Sequence, residues 1–410
     1  MLHFLKATYA LLLPLTFFFP RISVPLLIVI TAFILLMIWK QQACFSVRPY
    51  LNKSTLPFVY AVLLFFTWSA ISCLWAPYPI QSLNSLFAFF ALISMGIVHI
   101  IIFLRLEHDV QKQLIYALLI GSLITTIIMM TDSFTTSPWS AYKGVNKGNL
   151  YAKVAMALSF AGLIGWHYIK HLLYKIIFTM AVVVALLYSD CDAAILAYFS
   201  GFFLYFLASI PKLQKPIKIF TSVIVPIFFL LLPFMLSKSG MNHEVILNWN
   251  KTGIMTNHSS LHRLVILSDT AQTVAQKPFR GYGYNSAKVA AVNGGNKIFS
   301  LFDYSRPEKP LVKSTYQAIH PHNFIMQLWL ELGLIGVVLW LILTLLVLNI
   351  MAGNLNNYPF LLSVFLCGHI HLLVSIGLWQ SWWWALVALI TPCILYDKQK
   401  KTPQKKEQLS

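Results

Sequence analysis

Charge is scarce in this chain. Acidic and basic side chains together make up 10% of 410 residues, and acids are the rarer sign, 12 against 30 Lys and Arg. A soluble globular protein carries about 25% charged residues, so that class is excluded. Cysteine is also sparse. Cys44, Cys73, Cys191, Cys367 and Cys393 form no CxxC pair and avoid the long polar segment, which leaves no basis for a disulfide framework or a zinc site. No GxxxxGK[ST] loop occurs, so ATP use is not suggested. No small-x-small cleavage site follows the first apolar run, Ala7 to Phe19, which gives way to Pro20-Arg21; a retained span is expected there rather than a signal peptide. Strict alternation of apolar and polar residues, the mark of a membrane β-barrel, is missing as well.

What the chain has in abundance is apolar sequence, 58% of its residues. Long runs lie at 7–19, 25–39, 58–75, 84–104, 114–131, 150–169, 176–189, 193–210, 217–236, 324–349, 359–377 and 380–396. The expected fold class is therefore all-α: a polytopic membrane protein of about twelve helices with one large, partly helical outer loop. The expected organisation is 1–236 with the first nine spans, 237–323 as the loop region with the active-site residues, 324–396 with the last three spans, and 397–410 as a basic cytoplasmic tail. The short basic connections fall on the N-terminal side of such a bundle, and by the positive-inside rule that side is cytoplasmic.

The loop from Ser237 to Ile319 carries ten Lys and Arg against Glu244, Asp269, Asp303 and Glu308. Leu261, Leu264, Val265, Leu267, Ala271 and Val274 have helical spacing that ends at Lys277-Pro278. Gly281-Tyr282-Gly283-Tyr284-Asn285 and Gly294-Gly295-Asn296 then supply turns whose amides could approach a phosphate. A small helical cap over the outer face is the expectation.

His320-Pro321-His322-Asn323 sits between this loop and the apolar run that starts at Phe324. Pro321 suits a first helical turn, and a helix starting there would point its positive dipole end outward. His322 fits a general base, and it also fits a plain interfacial cap. Arg263 and Arg280 fit phosphate ligands or solvated surface charges. Tyr282 and Tyr284 could stack on sugars, whereas Trp379, Trp382, Trp383 and Trp384 suit interface anchors. Asp190 and Asp192 mark an outer boundary, either a functional pair or a solvated turn. His369 and His371 are two residues apart within one span, which favours interhelical packing over a metal site. Lys153, after Lys143 and Lys147, suits snorkelling to the interface.

His322-Asn323, followed after nine residues by Gly333-Leu334-Ile335-Gly336, resembles the O-antigen ligase family, as does the loop pattern from Arg263 through Lys277-Pro278-Phe279-Arg280-Gly281-Tyr282-Gly283-Tyr284. The resemblance covers most of the chain. It implies a multi-pass protein of the bacterial inner membrane with its active site facing the periplasm. The implied reaction moves O-antigen from undecaprenyl diphosphate to a sugar hydroxyl of lipid A-core, without metal or cofactor. The implied partners are the undecaprenyl-diphosphate-linked donor, the lipid A-core acceptor and the bilayer; nothing suggests nucleic acid. On the matching residues, His322 would be the catalytic base, Arg263 and Arg280 the diphosphate ligands, and His320, Asn323 and Tyr282 acceptor-binding or positioning residues. One departure stands out. Where the family commonly carries an arginine, this chain has Ser189-Asp190-Cys191-Asp192-Ala193-Ala194, so Arg280 or a lysine such as Lys153 would have to supply the charge. An O-antigen polymerase or a protein O-oligosaccharyltransferase, using the same donor, is the nearest alternative, and a membrane transporter the alternative of another class.

Overall fold

The computed structural model describes residues 2–19, 21–40, 55–135, 147–287, 298–302, 311–315, 320–353 and 357–396. The apolar runs fold as helices, as backbone polar groups in hydrocarbon must bond within their own segment. The first eight are α1 (Leu2–Phe18), α2 (Ser23–Lys40), α3 (Leu56–Ser72, continued by a 3₁₀ turn, Cys73–Trp75), α4 (Pro79–Phe103), α5 (His108–Phe134), α6 (Lys147–Tyr168), α7 (Leu172–Tyr188) and α8 (Asp192–Ser209). Then α9 (Pro211–Ile219) continues through a π turn, Phe220–Ile224, into α10 (Val225–Lys238). Among the described residues, seven helical segments are long and apolar enough to cross a membrane, Pro211–Lys238 counting as one, and four apolar helices are shorter. The twelfth expected run is α6.

Buried polar side chains tie the bundle together. His99 of α4 lies between the Tyr9 hydroxyl of α1, 3.2 Å, and the Thr31 hydroxyl of α2, 3.1 Å. His371 Nε2 meets Ser159 Oγ at 2.9 Å, linking α6 to α14 (Tyr358–Val374). His369, two residues away, bonds the Phe365 carbonyl within its own helix, so the two imidazoles do not converge. Both serve packing.

The segment after α10 carries α11 (His243–Lys251), capped by Asn242, and α12 (His258–Gln276), capped by Asn257. Leu261 and Val265 of α12 bury against Ile246 of α11, which is the apolar stripe that the sequence spacing anticipates. Beyond it β1 (Ile298–Phe302) pairs antiparallel with β2 (Leu311–Thr315), so the region is not purely helical. Gly294-Gly295-Asn296, most of the segment 132–149 and the basic tail lie outside the described residues.

The largest departure from expectation concerns α13 (Phe324–Ala352), which is broken at Gly333 (φ 63°, ψ −165°). A straight helix would separate Phe324 from Trp340 by about 24 Å. Their rings are 5.9 Å apart, so the chain doubles back. Flanking contacts give the directions of the two arms. Phe229 and Phe234 of α10 meet Phe324 and Trp329 in parallel order, each pair at 5.3 Å, so the first arm climbs alongside α10. The second arm runs antiparallel to α3: Trp68 bonds the Leu332 carbonyl at 3.0 Å, and Phe65 meets Trp340 at 5.6 Å. Residues 334–352, about 28 Å of helix, are enough for a full crossing, whereas the expected span from 324 is two arms of a V. The helix starts at Phe324 with Asn323 as its cap, its side chain accepting from Met326 N, so Pro321 lies outside the first turn. Its positive end faces into the bundle rather than outward. Last comes α15 (Ser381–Leu395).

Replacing His99 by Leu strands the fully buried Tyr9 hydroxyl and should cost about 1–3 kcal/mol. Thermal unfolding of the detergent-solubilised protein should show a lower midpoint; an unchanged midpoint would mean that the hydroxyl finds another partner.

Candidate functional site

A broken helix exposes backbone groups, and in a membrane protein these must find partners. At Gly333 the partners come from the segment that follows α12. Tyr282 N donates to the Leu330 carbonyl and Gly283 N to the Glu331 carbonyl, both at 2.8 Å, while Leu334 N donates to Pro278 O at 2.8 Å. The approach is close enough to require glycine on both sides. A Cβ on Gly333 would sit 2.4 Å from Phe279 O, and one on Gly281 2.6 Å from the Glu331 carbonyl carbon, with positive φ at each. The two motifs that stand apart in sequence are thus two sides of one backbone junction.

This junction corrects the expectation that the Gly-Tyr-Gly-Tyr turn offers amides to a phosphate. Gly281 N bonds Lys277 O, Tyr284 N the Ser72 hydroxyl, Ser286 N the Gly283 carbonyl, and Asn285 N and Ala287 N the Glu331 carboxylate. Every amide from Gly281 to Ala287 is taken.

Glu331 is the residue that the sequence argument passes over. It is fully buried, and its carboxylate accepts from Asn285 N (2.7 Å), Ala287 N (3.4 Å), Gln327 Nε2 (3.1 Å) and Trp379 Nε1 (2.5 Å). The available signal was a lone acid in an apolar run, which is costly unless partnered. Gln327 extends the network, since its Oε1 accepts from Leu378 N at 2.8 Å. Glu331 and Gln327 therefore fasten the turn 375–380 to the first arm. Trp379, half-buried, belongs to this clasp, its ring 4.6 Å from the fully buried Tyr284, and Trp382 and Trp383 are buried, so these last two are packed inside rather than serving as surface anchors.

The same turn orients His322. Its Nδ1 lies 3.2 Å from the Ser375 carbonyl. A carbonyl only accepts, so Nδ1 carries the proton and Nε2 presents its lone pair. The residue adopts a left-handed backbone (φ 53°), an uncommon conformation for a non-glycine residue. Burial, then the neighbouring His320, Arg263 and His262 charges, push its pKa down to about 4 against the upward pull of the Ser375 bond. The imidazole is therefore neutral at physiological pH. His320 stacks beside it, ring centroids 4.3 Å apart, and packs against Gly377.

Arg263, in α12, stands close enough to act on His322 and also on Cys191, where it opposes the burial that pushes this thiol up. Cys191 belongs to the Asp190–Asp192 turn, where the resemblance leads to the expectation of an arginine. Asp192 itself opens the first turn of α8, a place where a carboxylate suits the helix dipole. Arg280 lies elsewhere, its guanidinium 6.0 Å from the Trp75 ring. Tyr282 bonds Gln276 Oε1 at 3.1 Å, with the Lys277 ammonium over its ring. Asn323 is occupied as the cap of α13. The structure thus brings His320, His322 and Arg263 together and leaves Arg280 and Tyr282 beside the junction.

Phe324, directly after the cap, also meets His369 at 5.8 Å. His369 and Trp340 line an apolar cavity of about 450 Å³ with Phe65, Phe66, Val347 and Trp384. On α13 the lining runs from Trp340 to Met351, about 16 Å. Among the described residues no three His, Cys, Asp or Glu side chains converge as metal ligands would.

Comparison with known proteins fits this arrangement. The family model described as O-antigen ligase matches residues 176–341, which include Arg263, the junction and His322. A Rickettsia bellii protein named "putative polysaccharide ligase" is 30% identical over 358 residues, covering 82% of this chain and 81% of the relative. The chain belongs to the O-antigen ligase family. Proteins of the same name from Rickettsia prowazekii and Rickettsia felis are each 28% identical, over 82% of this chain and 81% of their own length. A glycosyltransferase-type membrane enzyme follows from that membership, and lipid-linked polysaccharide is the family's substrate class.

Glu331→Ala leaves four donors without an acceptor and should cost about 3 kcal/mol or more, whereas Glu331→Gln keeps part of the network and should cost less. The fraction of protein that stays monodisperse after heating in detergent reads this order. Wild-type heat resistance in Glu331→Ala would remove the carboxylate from its role as clasp.

Proposed function

We propose that this protein transfers O-antigen polysaccharide from undecaprenyl diphosphate to a sugar hydroxyl of lipid A-core on the periplasmic face of the inner membrane, with His322 as general base and no metal. The observation that carries the proposal is the His322 imidazole. Its Nδ1 is engaged by the Ser375 carbonyl, its Nε2 is left as acceptor, and its charge is suppressed. In the proposed step the acceptor oxygen attacks the anomeric carbon of the glycan as His322 Nε2 takes its proton. The bond from that carbon to the diphosphate breaks, and undecaprenyl diphosphate leaves with the electron pair, its charge offset by Arg263. The apolar cavity beyond Phe324 suits a polyprenyl tail, which would place the diphosphate at the imidazole end.

His322→Ala should lower transfer by a factor of about 10² to 10⁴ while membrane insertion and protein level persist. Lipopolysaccharide ladders from complemented cells check this, and full-length ladders would remove His322 from the chemistry. Arg263→Ala should lose about 10- to 100-fold, with partial rescue by Lys. A null strain should accumulate long lipid-linked polymer; a single repeat unit on the core would point to a polymerase instead.

The acid side of the pH profile gives a separate check. The base works unprotonated, so kcat/KM should hold steady down to about pH 4 and fall only below it, well under the ordinary imidazole value near 6.5. A bound diphosphate favours the imidazolium, so the corresponding limb of kcat should lie higher. A kcat/KM limb at 6.5 that vanishes in no variant of His322 would contradict the assignment.

A further inference from the structure

Three helix ends meet beside the turn that orients His322. The chain between α1 and α2 brings Arg21, α6 brings Lys153 and α15 brings Trp382. Ser23 Oγ donates to the Trp382 carbonyl at 2.8 Å, which pins the α1–α2 connection to the start of α15. The Lys153 ammonium lies 5.3 Å from the Trp382 ring centroid, and its side chain is only half-buried. Arg21, exposed, lies two residues before the pinned Ser23 and so at the same meeting of helix ends as Lys153. Asp132, the acid of the adjoining helix end, is engaged by the Tyr151 hydroxyl. The Trp382 indole donates to Gln380 Oε1 at 2.7 Å, and Gln380 N to the Gly377 carbonyl, so the aromatic platform is continuous with the residues that hold His320 and His322.

Two cations at one meeting of helix ends repel, and the repulsion is relieved when an anion bridges them. The Trp382 face attracts the lysine ammonium, and the arginine supplies a planar fork of donors. We infer that Arg21 and Lys153, the lysine lying over Trp382, form a second phosphate-binding point of this protein, separate from Arg263, which takes a phosphate ester carried on a membrane lipid. The inference rests on the transferase function proposed above for its place in the reaction, and it accounts for the departure at Asp192: the charge missing there is supplied from two other helix ends. A lysine at the outer end of a span ordinarily snorkels alone; this one has an aromatic seat and a cationic neighbour.

The test uses the full chain in phosphatidylcholine nanodiscs with three probes: undecaprenyl diphosphate, phosphatidic acid and inorganic diphosphate. Arg21→Gln and Lys153→Gln should each weaken binding of a lipid phosphate by about tenfold, and the pair together by more, with a shallower dependence on salt. Lys153→Arg should bind nearly as well as wild type. Weakened undecaprenyl diphosphate binding assigns the point to the donor; weakened phosphatidic acid binding alone assigns it to a monoester lipid; competition by inorganic diphosphate reports whether the head group suffices. Unchanged binding of all three probes by the double variant overturns the inference, and if Arg263→Gln binds poorly in the same assay the transferase function still stands. Conversely, probe binding that depends on Arg21 and Lys153 in a wild-type protein that transfers no glycan from any lipid-linked donor would sink the proposed function and leave the phosphate point intact.

Discussion

A helix cannot turn back on itself inside a bilayer protein unless its freed backbone groups are met from elsewhere. That constraint governs this structure. The reversal at Gly333 frees the Leu330, Glu331 and Leu332 carbonyls and the Leu334 amide, and every one of them is bonded, three by the segment 278–283 and one by the Trp68 indole. The carboxylate of Glu331 then gathers amides from one side and the Gln327 and Trp379 side chains from the other. A buried acid with four donors and no cation is well solvated by its own protein, which is the condition under which such a group is tolerated. Without it, the arm Phe324 to Leu332 has no fixed tip, and His322, at the other end of that arm, has no fixed address.

The imidazole is positioned from two directions. Along the chain it continues into a capped helix; from the side the turn 375–380 offers the Ser375 carbonyl and the Gly377 surface. Since that turn is itself held by Gln327 and Glu331, the same clasp sets both the imidazole and the group that chooses its tautomer. Burial and nearby cations lower the imidazole's proton affinity, whereas an anion placed beside it would raise it, so anion binding and protonation would be linked by charge.

Much of the scaffold was legible in the sequence because hydrophobic length and helical period are local signals. Helices fall at the expected runs, and Leu261, Val265 and their neighbours announce α12. The V of α13 was not legible. Residues 324–352 are apolar apart from Gln327, Glu331, Thr344 and Asn349, and a glycine within such a run is compatible with an unbroken helix at a cost of about 1 kcal/mol. Only the left-handed φ of Gly333, fixed by contacts made 50 residues earlier in the chain, turns it into a reversal. For the same reason the glycines at 281 and 283 suggested a phosphate loop when their task is close backbone contact. The grouping of His320, His322 and Arg263 was anticipated from family resemblance; Glu331, Gln327 and the Ser375 carbonyl act through tertiary contacts that no local pattern encodes.

The clasp also fixes where the outer loop leaves and rejoins the site. Ala287 is bonded to Glu331 just before the loop departs, and His320 is seated against Gly377 just after it returns. Between these two anchors lie 32 residues, among which β1 packs on α11. The imidazole end of the arm is thus held on both sides of a long chain excursion by contacts made within the helical body.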